Sequence, residues 1–88
     1  MAGKVSVRVG GNVRHLRHIQ GLNAAELSDR LTAIGHTIGG ETGLTRLETG
    51  HRVVNVDDLL ALAEVLEVDQ ALLLAVDLTP VIMEALKR

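Results

Sequence analysis

Residues 21–35 read GLNAAELSDRLTAIG, and this stretch governs how the rest of the chain is read. Asn23 is followed three positions later by Glu26, the spacing of a reciprocal capping box. Leu27 and Leu31 then fall four apart on one helical face. Gly35 supplies a residue able to take the left-handed conformation that ends a helix. The stretch therefore predicts one short amphipathic helix, opened by Asn23 and closed at Gly35.

Working outward, similar signals recur on both sides. Upstream, Val9, Val13, Leu16 and Ile19 stand at helical spacing, with Gly21 as the stop. Residues 5–9 alternate apolar and polar, which predicts an arm or a short strand. Downstream, residues 38–52 read IGGETGLTRLETGHR. Leu44 and Leu47 predict a helix over about residues 42–49, closed by Gly50, and HRVV (residues 51–54) reads as extended. Asn55 can cap a helix bearing Val56, Leu59, Leu60, Ala63 and Leu66, with Asp57 and Asp58 in the first turn, where the helix dipole favours acids. Asp69 caps a shorter helix through Leu74. Thr79 and Pro80 announce a last one, carrying Val81, Ile82, Ala85 and Leu86. No internal repeat and no low-complexity linker interrupts this order. The expectation is a compact all-α domain of five to six helices. Residues 1–8 form the arm, residues 9–76 the domain, and residues 77–88 a C-terminal helix available for dimerisation.

The bulk properties agree with that reading. The chain has 88 residues, 47% of them hydrophobic, and no Phe, Tyr or Trp. One domain with an aliphatic core follows. With no cysteine, neither a disulfide framework nor a thiolate zinc site is available. No signal-peptide pattern opens the chain, and its longest apolar run, ALLLAV (residues 71–76), is far too short to cross a bilayer. A soluble cytoplasmic protein with no membrane partner is expected.

Net charge is −2, yet the charges are unevenly placed. Residues 1–20 hold Lys4, Arg8, Arg14 and Arg17 with no acid, a charge of +4. Residues 21–52 come to −1 and residues 53–88 to −5. A basic first half beside an acidic second half fits a protein with one side turned toward a polyanion.

Catalytic chemistry finds no motif. The serines, Ser6 and Ser28, lie in no nucleophile pattern, and IGGETG lacks the lysine and hydroxyl of a phosphate-binding P-loop. Of the four histidines, His15 and His18 are three apart on one helix, but no motif places a third metal ligand. The histidines read as solvated or phosphate-facing. No enzyme activity, metal or cofactor is expected.

Taken together, the order of these pieces resembles the helix-turn-helix domain of the XRE / phage-repressor (lambda-repressor-like) family. Arg14, Leu16, Arg17, Gly21, Leu22, Asn23, Glu26 and Leu27 carry the likeness first. Leu44, Arg46, Leu47, Glu48 and Gly50 continue it, followed by Asp58, Leu59, Leu62, Ala63, Leu66 and Val68. The match spans about residues 9–74.

The resemblance implies roles. The third helix would enter the major groove of double-stranded DNA with Glu41, Thr42, Thr45 and Arg46 outward and Leu44 and Leu47 inward. Arg46 suits base readout, because a guanidinium can bridge O6 and N7 of guanine; a solvated or phosphate-bound Arg46 is the alternative. Asn23, at the start of the second helix, would meet phosphate, cap that helix, or do both. His51, Arg52, Asn55 and Arg14 fall at or near phosphate-contacting positions, with Arg8 and His15 adding to the field. Glu48 would pair bidentately with Arg17, locking the third helix to the first.

The chain also departs from the family pattern. Ala24 stands where glutamine is usual, and Gly39, Gly40 and Glu41 replace the usual polar start of the third helix. The turn of residues 35–40 is long. Glu67 occupies a glycine position at a helix end, a substitution costing about 1 kcal/mol. The surplus of apolar residues beyond Asp69 has two destinations, the protein's own first and fifth helices or a homodimer interface. Two functions follow: a sequence-specific transcriptional regulator, repressor-like or antitoxin-like, or a protein–protein interaction module on a scaffold that no longer reads DNA.

Overall fold

The computed structural model describes residues 2–78 together with Pro80, Met83 and Glu84. Five helices follow in order: α1 (Lys4–Ile19), α2 (Ala24–Ala33), α3 (Gly40–Glu48), α4 (Val56–Leu66) and α5 (Gln70–Leu73). The described residues contain no strand, and the fold is all-α.

Leucine pairs build the centre. Leu27 and Leu31 from α2, Leu44 and Leu47 from α3, and Leu62 and Leu66 from α4 are all fully buried, joined by Leu73 of α5. Val9, Val13 and Leu16 of α1 belong to the same cluster. At about 1.5–3 kcal/mol for each buried aliphatic side chain, these positions supply the main drive to fold.

Both long-spaced caps form at their predicted residues. Asn23 Oδ1 accepts from the Glu26 N–H at 2.8 Å, and Glu26 Oε1 accepts from the Asn23 N–H at 3.0 Å. Asn55 and Asp58 make the same reciprocal box at the start of α4. Glu67 closes α4 in the left-handed region, at φ 55°.

Three expectations are corrected. Residues 5–8 are neither arm nor strand, because α1 begins at Lys4. A strand would send Val5, Val7 and Val9 to one face. In the helix, Ser6, Val9, Val13 and Leu16 turn inward while Val5 and Val7 stay exposed. Helix α3 starts two residues early, at Gly40, and ends at Glu48 with Thr49 as its cap. On α4, Val56 and Leu60 are exposed, and Ala61, Leu62 and Val65 take the inward positions. The expected C-terminal helix, with its dimerisation role, lies largely outside the described residues; Pro80, Met83 and Glu84 are helical.

One glycine decides how α1 meets α3. A Cβ on Gly10 would land on the Leu47 carbonyl oxygen, so these helices touch only because residue 10 has no side chain. Polar ties reinforce the packing. Buried Asn12 donates from Nδ2 to the Leu73 carbonyl at 2.9 Å and the Ala75 carbonyl at 2.8 Å. Gln20 Nε2 donates to the Leu66 carbonyl at 2.7 Å, and Ser6 Oγ accepts from the Val54 N–H at 2.9 Å.

Candidate nucleic-acid interface

Helix α3 divides sharply. Leu44 and Leu47 are fully buried and Glu48 nearly so, while Glu41, Thr42, Thr45 and Arg46 are all exposed. The approach to α3 is unusual. Gly39 and Gly40 both take positive φ, 85° and 68°, so the chain enters the helix through two left-handed residues. Gly43 lies against this entry, where a Cβ would meet the Ile38 carbonyl oxygen.

Two cation–carboxylate pairs support α3: one ties its end to α1, and the other belongs to a brace on the turn that precedes it. Arg17 Nε donates to Glu48 Oε2 at 2.8 Å and its Nη2 donates to Oε1 at 2.9 Å. Its third nitrogen, Nη1, reaches the Leu22 carbonyl at 3.0 Å. One side chain thus ties α1, the α1–α2 turn and the end of α3. The Arg17 guanidinium is held above its ordinary pKa. The hydrogen bond to Glu48 is the largest cause; burial opposes it, and the Glu48 charge adds to it.

A family model of the helix-turn-helix domain matches residues 8–76, from α1 to just past α5. The chain belongs to the helix-turn-helix domain family. No curated protein and no solved structure matches it. A helix-turn-helix is a DNA-binding arrangement in which the second helix of the pair lies in the major groove and the first crosses the backbone. In this domain α2 and α3 are the two helices that the turn joins.

The second pair gives Arg52 partners within the protein. Asp58, only 1% exposed, accepts from Arg52 Nη2 at 3.2 Å through Oδ1 and 3.3 Å through Oδ2. Arg52 Nη1 donates to the Ile38 carbonyl at 2.9 Å. His36 Nε2 lies 2.7 Å from Asp58 Oδ1, and the Asn55 N–H donates to Oδ2 at 3.2 Å. Arg52, expected at phosphate, is committed to bracing the long α2–α3 turn against α4. His36, expected to be solvated or phosphate-facing, belongs to the same brace.

The remaining expected contacts are distributed as follows. Asn23 and Asn55 are exposed, and their side-chain oxygens cap α2 and α4. Arg46 curls back so that Nη2 reaches the His51 carbonyl at 3.3 Å, a weak and exposed contact. His51 Nδ1 lies 3.0 Å from Thr49 Oγ1, whose hydroxyl also reaches the Thr45 carbonyl at 2.7 Å. Arg14 is exposed on α1, where it lines a shallow pocket with Gly11, His15, His18 and Glu48.

What sequence reasoning missed is the shared role of Asp58 and His36 in this brace. Asn55 followed three later by Asp58 is itself a capping-box signal and could have singled out Asp58. Nothing local singles out His36. Among the described residues no group of three or more His, Asp or Glu could hold a metal ion, and no helix is long and apolar enough to cross a membrane.

Proposed function

We propose that this protein is a sequence-specific double-stranded DNA-binding transcriptional regulator of the XRE / phage-repressor type, reading the major groove with α3. One observation carries this reading: the end of α3 is tied to α1 by Arg17–Glu48 and the turn before it is braced by Arg52, while Glu41, Thr42, Thr45 and Arg46 stay exposed on its outer side. A rigid helix with an uncommitted polar face suits base readout, because a reading surface must be positioned before it can discriminate. Arg46 is the base-reading side chain, with Glu41, Thr42 and Thr45 beside it. Asn23, at the free N–H groups of α2, contacts phosphate together with His51, Asn55 and Arg14.

The protein works as a homodimer on two half-sites about one helical turn apart. Exposed Val53, Val56 and Val76 provide apolar surface for that pairing. Autoregulation, as by a phage repressor or an antitoxin, is the mode of action that goes with this reading.

Anisotropy of dye-labelled duplex DNA tests the proposal, since the chain has no tryptophan or tyrosine. Affinity should fall steeply with salt, the log–log slope tracking phosphate contacts. Absence of binding to any fragment of its own genome at low salt would sink it. In that case the protein-interaction reading takes its place, favoured by one feature: Glu41 is exposed in the first turn of α3, where it opposes phosphate.

A further inference from the structure

Towards the end of α4, Leu60, Ala63 and Glu64 join Val68, Asp69 and Gln70 around a shallow groove. Leu60 is apolar yet 46% exposed, and Glu64 and Asp69 are exposed beside it. The lining holds these two acids and no cation. The surrounding chain supplies none either, since residues 53–78 contain six acids and no Lys, Arg or His. Such a groove repels phosphate. Apolar surface rimmed by charge of one sign suits a protein segment of the opposite sign.

Helix α1 carries such a segment. Lys4 and Arg8 are exposed one turn apart, with exposed Val5 and Val7 beside them. Among the described residues no salt bridge engages Lys4, Arg8, Glu64 or Asp69. Asp69 does accept from the Ala71 N–H, which leaves its charge in place. Neither Lys4 nor Arg8 lines the groove of its own chain, so the two faces are free to meet between chains. Both are clear of the reading helix. Arg8 stands about 160° around α1 from Gly10, the residue packed against α3, and no residue of α3 lines the groove.

We propose that a second copy of this chain seats the Lys4–Arg8 face of its α1 in the acidic groove of α4. The two positive charges meet Glu64 and Asp69, and the valines cover Leu60. One face of each chain meets a different face of the next, so the contact is heterologous and runs head to tail. It is separate from the pairing through Val53, Val56 and Val76. It also gives Arg8 a protein partner, where the sequence pointed to the phosphate field. On DNA it makes neighbouring copies bind cooperatively.

Two variants of the whole chain test the contact. Lys4→Glu/Arg8→Glu spoils the basic face and keeps the groove; Glu64→Lys spoils the groove and keeps the basic face. Both should stay folded by circular dichroism, because an acid in the first turn of α1 and a cation in the last turn of α4 suit the helix dipoles. Unlabelled Glu64→Lys protein is titrated at low salt, without DNA, into each variant carrying a dye, and anisotropy is read. It should bind the Lys4→Glu/Arg8→Glu chain, whose groove is intact, at least about tenfold more tightly than it binds labelled copies of itself. Glu64→Lys brings the formal net charge from −2 to zero, so general attraction or repulsion is the same in both titrations. Pairing through Val53, Val56 and Val76 is common to both and cancels. High salt should erase the difference. Equal affinities, no binding in either titration, or a difference that survives high salt overturn the proposal. With DNA absent, failure here leaves the DNA-binding reading standing, and failure of that reading leaves this contact standing.

Discussion

Arg52 and Asp58 meet inside the fold, Nη2 to Oδ1 at 3.2 Å, and the same guanidinium holds the Ile38 carbonyl at 2.9 Å. Asp58 also accepts from the N-cap of α4 and lies against His36. A single buried carboxylate thus organises the turn that delivers α3. Replacing Arg52 with alanine leaves that carboxylate short of its cation, a loss of about 2–3 kcal/mol. Urea denaturation should show the drop, and DNA affinity should weaken only as far as α3 loosens. An Arg52→Ala variant of unchanged stability whose salt slope falls by about one would make Arg52 a phosphate ligand and not a brace.

At the other end of α3, Arg17→Met or Glu48→Leu alone should cost about 3 kcal/mol, since each strands the opposite charge. The double variant should recover much of that, because matched apolar side chains replace a buried pair at little cost. A cycle of denaturation midpoints measures the coupling; additive losses would show that the two side chains do not depend on each other. The pKa shift sets the sign with pH. The folded-state pKa of Arg17 is raised, so its contribution is complete below the unfolded value and lost only as pH rises through the folded one. It is therefore constant throughout the neutral range.

Adjacent glycines in α1 should respond oppositely to alanine. Gly10→Ala drives a methyl into the Leu47 carbonyl and should destabilise by about 2–3 kcal/mol, the cost of an overpacked contact. Gly11→Ala meets open space and should stabilise by about 0.5–1 kcal/mol through helix propensity. Thermal unfolding of the two variants decides. Equal effects would mean that α1 and α3 are not in the close contact described.

The left-handed cap at Glu67 predicts a gain. Glu67→Gly should raise stability by about 1 kcal/mol, because glycine reaches φ 55° without the Cβ clash. Measured stability at or below wild type would show that the glutamate side chain makes up for its strained backbone.

Arg46→Ala tests the reading face. Fold stability should hold, since the side chain is exposed and makes only a 3.3 Å contact with the His51 carbonyl. Binding-site selection should then show relaxed preference at one base position, at a cost of about 1–3 kcal/mol on the preferred sequence. A uniform loss over all sequences would move Arg46 to phosphate.

Much of this domain was legible locally. The capping boxes of α2 and the start of α4 lie within four residues of chain, and the leucine pairs repeat within one turn of helix. Such signals act over the distances at which a helix organises itself. The pairing of Arg17 with Glu48 could be named only through family resemblance, because 31 positions separate them. The misreading of residues 5–8 has a similar cause. Their alternation satisfies a strand, and what makes them helical is the packing of Ser6 and Val9 against distant segments.

By itself, then, the sequence determined the order of the helices, the residues that open α2, α4 and α5, and which side of α3 holds its leucines. Tertiary structure decided what the charged side chains do. Arg46 and Arg52 stand six residues apart and read alike as cations for DNA. One stays at the surface, while the other joins the Asp58 carboxylate to the Ile38 carbonyl, a partner that only the packing of the α2–α3 turn beside α4 brings within reach. Charge is a property of the residue, but its partner is a property of the fold, since a buried carboxylate must be matched by whatever cation the surrounding helices place beside it.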